Sequence, residues 1–130
     1  MRGVTVYACA RIGFGMAALV APAIVGKSMT GLGGATPAAG VFVRGMGARE
    51  VGIGLSVLGA ERNRSSIRPN LLAGLITDGG DVAAIIIAWR QLPPVERALG
   101  LALAVGAGTV GAALLAVTPG SEHRPVSVPR

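Results

Sequence analysis

Six charged residues lie inside apolar stretches of this sequence, where they could bind a polar ligand or one another. Three are basic and three are acidic, and their neighbours are mainly Val, Ile, Leu, Ala and Gly. The six are Arg11, Arg44, Arg49, Glu50, Asp78 and Asp81. The densest group lies in RGMGAREVGIG, residues 44–54. Guanidinium and carboxylate groups can pair, hold a charged headgroup or exchange a proton, so these residues form the candidate site.

The composition indicates what kind of protein surrounds this site. Of the 130 residues, 52% are hydrophobic and only 14% are charged, with 21 glycines and a mean hydropathy of +0.64. A soluble domain carries about 25% charged residues. Glycine is common in membrane helices because it lets backbones approach closely. The sequence therefore predicts an integral membrane protein, with the lipid bilayer as its surroundings.

The net charge of +6 and the pI of about 11.4 raise the alternative of a nucleic-acid-binding protein. Aromatic residues make up only 3% of the chain, and no basic stripe carries interleaved aromatics, so we exclude nucleic acid as a partner. Cys9 is the only cysteine and His123, in the polar C-terminal tail, the only histidine. The sequence thus predicts no intrachain disulfide, no Cys or His metal site and no bound cofactor.

Four segments are long and apolar enough to span a bilayer, which needs about 20 residues per helix. The predicted spans are residues 4–26, 37–60, 71–89 and 98–117. The second is the least apolar because it carries Arg44, Arg49 and Glu50. The predicted fold is all-α, a single four-transmembrane-helix bundle over residues 1–120. Residues 121–130 form a polar tail that we expect to be disordered.

Charges between the spans predict the orientation. An even number of spans places both termini and the 61–70 connector on one side, which holds six basic residues against three on the other. The six are Arg2, Arg62, Arg64, Arg68, Arg124 and Arg130, and the three are Lys27, Arg90 and Arg97. The positive-inside rule then predicts cytoplasmic termini in the cytoplasmic membrane. Residues 1–23 imitate a signal peptide, but Arg11 interrupts the apolar run, which favours an uncleaved first helix.

The charges within the spans must face the protein interior. Each would cost about 2.5–3.5 kcal/mol at a helix centre, whereas three positive and three negative charges can neutralise one another. We expect Arg11 and Arg49 to pair with Asp78 and Asp81, and Glu50 to pair with Arg44 or Arg11. Because the charges of the second span point in different directions, we expect that span to be the central helix, thinned by glycines 45, 47, 52 and 54.

Two interpretations of this charged network stay open. It specifies how the helices associate, which is an attested use of buried polar groups, or it lines a site for an anionic, polar or protonatable ligand. Asp78 and Asp81 could also hold Mg²⁺, although pairing with arginine is the stronger expectation. The G-x-G-x-x-G pattern at residues 106–111 lies within an apolar helix and indicates helix packing rather than nucleotide binding.

The motif RGMGARE, residues 44–50, together with GGD, residues 79–81, resembles a family of small four-span bacterial membrane proteins of unknown function, common in actinobacteria. The resemblance covers most of the chain. The matching positions are Arg44, Gly45, Gly47, Arg49, Glu50 and Asp81. More loosely, the layout is similar to DoxX-like four-helix membrane proteins, some of which accompany quinone or sulfur redox enzymes. The resemblance implies the four-span topology and no cofactor.

Three functions are consistent with this sequence. The first is a binding or accessory protein whose charged cluster engages a lipid headgroup, a quinone or a partner's span, as a homo-oligomer or as a subunit of a membrane complex. The second is a small proton-coupled transporter in which Glu50 or an aspartate takes the proton. The third is a membrane enzyme acting on a lipidic substrate, with Asp78 and Asp81 as acid and base.

Overall fold

The computed structural model describes residues 2–119, and this part of the chain is almost entirely helical. Its elements are α1 (Arg2–Val20), α2 (Pro22–Thr30), a 3-10 turn (Leu32–Ala35), α3 (Pro37–Arg62), α4 (Arg68–Ile87) and α5 (Pro94–Val117). Between residues 2 and 119 there is no β-strand. The all-α class predicted from the sequence is therefore confirmed. The predicted disordered tail, residues 121–130, lies outside the described residues.

The first predicted span, residues 4–26, is not one continuous helix. It is divided at Ala21 into α1 and α2, because Pro22 lacks a backbone N–H and occupies the first turn of α2. The backbone N–H of Ala21 still donates to the carbonyl oxygen of Ala17, so α2 begins directly where α1 ends. At about 1.5 Å per residue, the 19 residues of α1 measure about 28 Å, close to the thickness of a bilayer core.

The other three helices start at signals that the sequence carries. The Thr36 hydroxyl oxygen accepts a hydrogen bond from the Ala39 backbone N–H, 3.2 Å away, and Pro37 fills the first turn of α3. The first turns of α4 and α5 also contain proline. At the far end of α5, Arg68 Nη1 donates to the carbonyl oxygens of Leu115 and Thr118 at 3.0 and 2.6 Å, which satisfies part of the helix terminus.

Helix packing is most extensive between α1 and α3 and then between α4 and α5. The α1–α3 crossing is close because Gly15 and Gly47 face each other. A Cβ added at Gly47 would lie 2.6 Å from the Gly15 carbonyl oxygen, and one at Gly15 would lie 2.5 Å from that of Gly47. This is the close approach that small residues allow in membrane helices.

The expectation that the second predicted span is the central helix is wrong. Helix α3 packs on α1, α2 and α4, but its backbone does not contact that of α5. Gly45 and Gly52 face open space, with nothing within 4 Å of an added Cβ, whereas Gly47 and Gly54 lie against α1. The sequence pattern missed this because glycines at i, i+2, i+7 and i+9 fall on two different faces of a helix.

The described part of the chain has an apolar surface and a charged interior. Nineteen large hydrophobic side chains are exposed, among them Phe42 at 79% and Ile87 at 83%, whereas Arg11, Glu50 and Asp78 are buried. Three helices, α1, α4 and α5, are long and apolar enough to cross a membrane. A surface of this kind in water would be a large aggregation liability, so the protein is compatible with a small membrane protein.

Candidate functional site

A buried ion network links α1, α3 and α4. Arg11, Glu50 and Asp78 are each only 5–6% exposed. Arg11 reaches the interior because it shares the buried face of α1 with Ala8, Gly15 and Ala18, at three- and four-residue spacings. Glu50 likewise lies three residues after Gly47 on the face of α3 that packs on α1. The close helix crossing therefore brings the two charged groups together.

Arg11 joins the three helices through the two ends of its guanidinium group. Its Nη1 donates to Glu50 Oε2 at 2.5 Å, and its Nη2 donates to Asp78 Oδ2. Both partners come from other helices, α3 and α4. Charge-assisted bonds of this kind are about twice as strong as neutral ones. Arg11 thus links the α1–α3 pair to α4.

Arg49 extends the network toward the surface. Its Nη2 lies 3.1 Å from Glu50 Oε1 and 2.7 Å from Asp81 Oδ2, and its Nη1 donates to Asp81 Oδ1 at 3.4 Å. The Arg49 and Asp81 side chains are 33% and 36% exposed, against 7% for Glu50. Glu50 therefore pairs with both Arg11 and Arg49, and Asp81 forms a bidentate contact with Arg49.

The structure brings five of the six predicted residues together and leaves Arg44 out. Glu50 is bound by Arg11 and Arg49, and Arg44 is exposed with no carboxylate partner within residues 2–119. The expected Glu50–Arg44 pairing fails because the two residues are six positions apart on α3, about 240° around the helix. Without Arg44, the network contains two guanidinium groups and three carboxyl groups, so the equal balance expected from the sequence does not hold.

Sequence reasoning missed Tyr7, which lies one helical turn before Arg11. The Arg11 guanidinium carbon lies 4.8 Å from the centre of the Tyr7 ring, a cation–π contact. Two glycines make room for the Tyr7 hydroxyl, since an added Cβ at Gly74 or Gly111 would lie 2.6 or 3.2 Å from it. The i, i+4 spacing of Tyr7 and Arg11 was the available signal. Among the described residues, the Tyr7 hydroxyl and Arg11 Nε are buried without a hydrogen-bond partner.

An apolar groove between α1 and α5 reaches one side of the network. Its volume is about 700 Å³, within the range of small-molecule sites. Tyr7, Arg11 and Glu50 supply its buried polar lining, and Arg2 lines it at the start of α1. The apolar and small lining residues include Val6, Phe14, Leu103, Gly106 and Val110. The groove is therefore a long, mainly apolar space with one buried polar region and with Arg2 near the start of α1.

A second, smaller cavity also borders the network. Its volume is about 80 Å³, enough for a few water molecules. Arg49, Glu50, Asp78 and Asp81 line it, together with apolar side chains and Gly100 from all five helices. Three carboxyl groups thus surround a space that a polar ligand of at most a few atoms could occupy.

Metal binding has no support from the arrangement of side chains in residues 2–119. No group of three or more His, Cys, Asp and Glu side chains there is placed to hold a metal ion. Asp78 and Asp81, the pair considered for Mg²⁺, each receive a hydrogen bond from an arginine instead. Cys9 is exposed on α1, away from the network.

Comparison with known proteins finds no relative of this chain. No family model matches the chain, and neither the curated proteins nor the solved structures contain a significant match.

Proposed function

We propose that this chain is a four-span protein of the cytoplasmic membrane that binds a lipidic amphiphile in the α1–α5 groove. The polar end of the ligand lies against Tyr7, Arg11 and Glu50, and its apolar part follows the groove. The observation that carries this proposal is the groove itself, an apolar space that ends at buried charged groups. Membership in the small four-span family, with the loose DoxX-like layout, is part of the proposal.

The apolar surface and charged interior of the described residues support α3 as the fourth span. Helix α3 has 26 residues, about 39 Å of helix, and packs along most of α1. Its charged residues Arg49 and Glu50 pair with groups from neighbouring helices, which offsets the cost of placing them in a membrane. Hydropathy alone does not select α3 as a membrane span, because it treats these charged residues as unpaired. With four spans, the excess of arginine on one side supports our proposal that both termini lie in the cytoplasm.

Unsatisfied polar atoms beside the groove support binding rather than pure architecture. A buried donor without a partner costs about 1–3 kcal/mol, and both Tyr7 Oη and Arg11 Nε are in this position. A ligand with an acceptor oxygen at the polar end of the groove would offset that cost after a small side-chain adjustment. The same groove could receive the span of a partner subunit or a second copy of the chain, which would appear in the test as a change of mass.

Filling the groove tests this proposal. Gly106 lies on the groove with nothing within 4 Å of an added Cβ, so Gly106→Phe adds a bulky side chain to the groove without a clash at its Cβ. Wild-type protein purified in mild detergent is expected to retain about one amphiphile per chain by mass spectrometry of the intact protein and of its lipid extract. The Gly106→Phe variant is expected to retain at least about tenfold less, the loss of about 1.4 kcal/mol of binding free energy.

Gly45→Phe is the matched control, because Gly45 also faces open space but lies on the outward face of α3. It is expected to keep both the ligand and the melting temperature at the wild-type level, and both variants are expected to remain folded. Equal retention by Gly106→Phe and wild type, or a wild-type extract no different from bulk membrane lipid, would refute amphiphile binding in the groove. A retained protein chain in place of a lipid would identify the accessory-subunit function instead.

Proton-coupled transport is the second candidate function. The observation in its favour is the 80 Å³ cavity, which places a water-sized space against Glu50, Asp78 and Asp81. The enzyme function has less support, because each of the two aspartates already accepts a hydrogen bond from an arginine.

A further inference from the structure

The ion network contains one more acidic group than basic groups. Arg11 and Arg49 contact Glu50, Asp78 and Asp81, and no other ion pair links the network to a charged residue within residues 2–119. With every group ionised, the network would carry a net charge of −1. An uncompensated charge in a medium of low dielectric constant is very costly, and buried groups become neutral rather than remain in that state. The buried part of the network, in which Arg11 faces both Glu50 and Asp78, thus lacks one compensating positive charge.

The surrounding helices contribute no third cation to the described network. Facing it, α1 supplies Arg11 and the neutral Tyr7, and α3 supplies Arg49 and Glu50. Helix α4 supplies both aspartates, whereas α2 and α5 contribute only apolar side chains and glycine to the lining of the inner cavity. Lys27 of α2 lines a different cavity, beside Glu96. Arg44, the cation expected here from the sequence, is exposed.

The hydrogen bonds identify which carboxyl group can accept a proton, which would supply the missing positive charge. Both oxygens of Glu50 and both oxygens of Asp81 accept hydrogen bonds from arginine. Asp78 accepts only through Oδ2, from Arg11, and its Oδ1 has no hydrogen-bond partner among the described residues. Asp78 is 5% exposed and lines the 80 Å³ cavity. It is thus the one carboxyl group of the network with a free oxygen in a buried position beside space for water.

We infer that Asp78 is a proton-binding site: its carboxyl group is neutral at neutral pH and carries an exchangeable proton on Oδ1. The proton balances the third carboxylate, Oδ2 keeps its hydrogen bond from Arg11, and water in the cavity carries the proton to and from Oδ1. This inference deepens the second candidate function, since proton-coupled transport needs such a site, and it rests on the network alone rather than on ligand binding in the groove.

Infrared spectroscopy of the purified protein in lipid tests the assignment. At neutral pH, wild-type protein is expected to show the carbonyl stretch of one protonated carboxylic acid, shifted to lower frequency in D2O because the proton exchanges. Asp78→Asn is expected to abolish this band, and Glu96→Gln, which changes a carboxyl group outside the network, is expected to leave it unchanged. Absence of the band in wild type, or its persistence in Asp78→Asn, would overturn the assignment.

A second variant separates charge balance from burial and stays informative if Asp78→Asn does not fold. Asp81→Asn leaves two carboxyl groups for two arginines, so Asp78 is expected to ionise and the band to disappear although Asp78 is still present. A band that persists in Asp81→Asn would contradict the charge-balance argument.

A missing wild-type band together with a rise in melting temperature on adding Na⁺ would assign the positive charge to a metal cation and refute the proton. Presence of the band without any transport would leave the proton site standing and reject the transport function.

Discussion

Replacing Arg11 by methionine is expected to destabilise the protein by about 3–5 kcal/mol, the range for breaking a buried ion pair by removing one partner. Methionine keeps the length and helix propensity of the side chain while it removes both charge-assisted hydrogen bonds. Glu50 keeps Arg49 as a partner, but Asp78 loses its only hydrogen-bond donor. The ion pair between α1 and α4 disappears with it.

Arg44→Met is the matched control for this variant. Both arginines lie within long helices, but Arg44 is exposed and has no carboxylate partner in residues 2–119. The variant is expected to stay within about 0.5 kcal/mol of wild type, as for a surface substitution. The measurement is reversible unfolding in mixed micelles, with the monodisperse fraction after heating as a second readout. Equal stability of Arg11→Met and Arg44→Met would show that the network contributes nothing to folding.

Substitution of Gly47 by leucine is expected to separate α1 from α3. The new Cβ would lie 2.6 Å from the carbonyl oxygen of Gly15 and 2.9 Å from the Cβ of Ala18, and a backbone oxygen cannot rotate away as a flexible side chain can. Overpacking costs about 1–3 kcal/mol even where side chains can adjust, so we expect a loss at the upper end of this range or beyond. Because Glu50 is less than one turn away, the Arg11–Glu50 hydrogen bond lengthens as well.

Gly45→Leu is the control two residues away on the same helix. Nothing lies within 4 Å of an added Cβ at Gly45, and leucine is the better helix former, so this variant is expected to be neutral or slightly stabilising. Unfolding in mixed micelles measures both variants, and a disulfide between cysteines placed on α1 and α3 reports their separation. If Gly45→Leu proved the more damaging of the two, the face of α3 assigned to α1 would be wrong.

Much of the helical layout follows from local sequence signals. Pro37 and the polar connector near residues 61–70 delimit α3 to within two residues, since these features act through neighbouring backbone atoms. The sequence prediction missed the division at Ala21 although it included Pro22. Proline is tolerated in membrane helices, so the apolar run over residues 4–26 favoured one continuous helix. Packing contacts decide whether a proline continues or divides a helix.

The charged site was less predictable than the helices that carry it. Composition requires the charges inside the spans to avoid lipid, and the Arg11–Asp78 and Arg49–Asp81 contacts agree with the pairing expected from the sequence. The sequence could not exclude Arg44, because its direction depends on which face of α3 meets α1. That face is chosen by Gly47 and Gly54 rather than by Gly45 and Gly52, and all four look alike in the sequence.

Tyr7 shows a further limit of counting charges. It is neutral and stands in an apolar run, so nothing in composition separates it from a core side chain. Its position over Arg11, and the space that Gly74 and Gly111 leave for its hydroxyl, come from the packing of α4 and α5 against α1. A site assembled from three or four helices is therefore visible in the sequence only through its ionised members.

The central claim is that α3 crosses the membrane with Arg49 and Glu50 paired inside the protein. Single cysteines at Gly33, Ser66 and Gln91, all exposed positions between helices, test it in a Cys9→Ala background. With a membrane-impermeant maleimide on intact cells, we expect labelling at positions 33 and 91, and labelling at position 66 only after permeabilisation. Labelling of positions 33 and 66 from the same side would contradict the account, because α3 would then not span the bilayer.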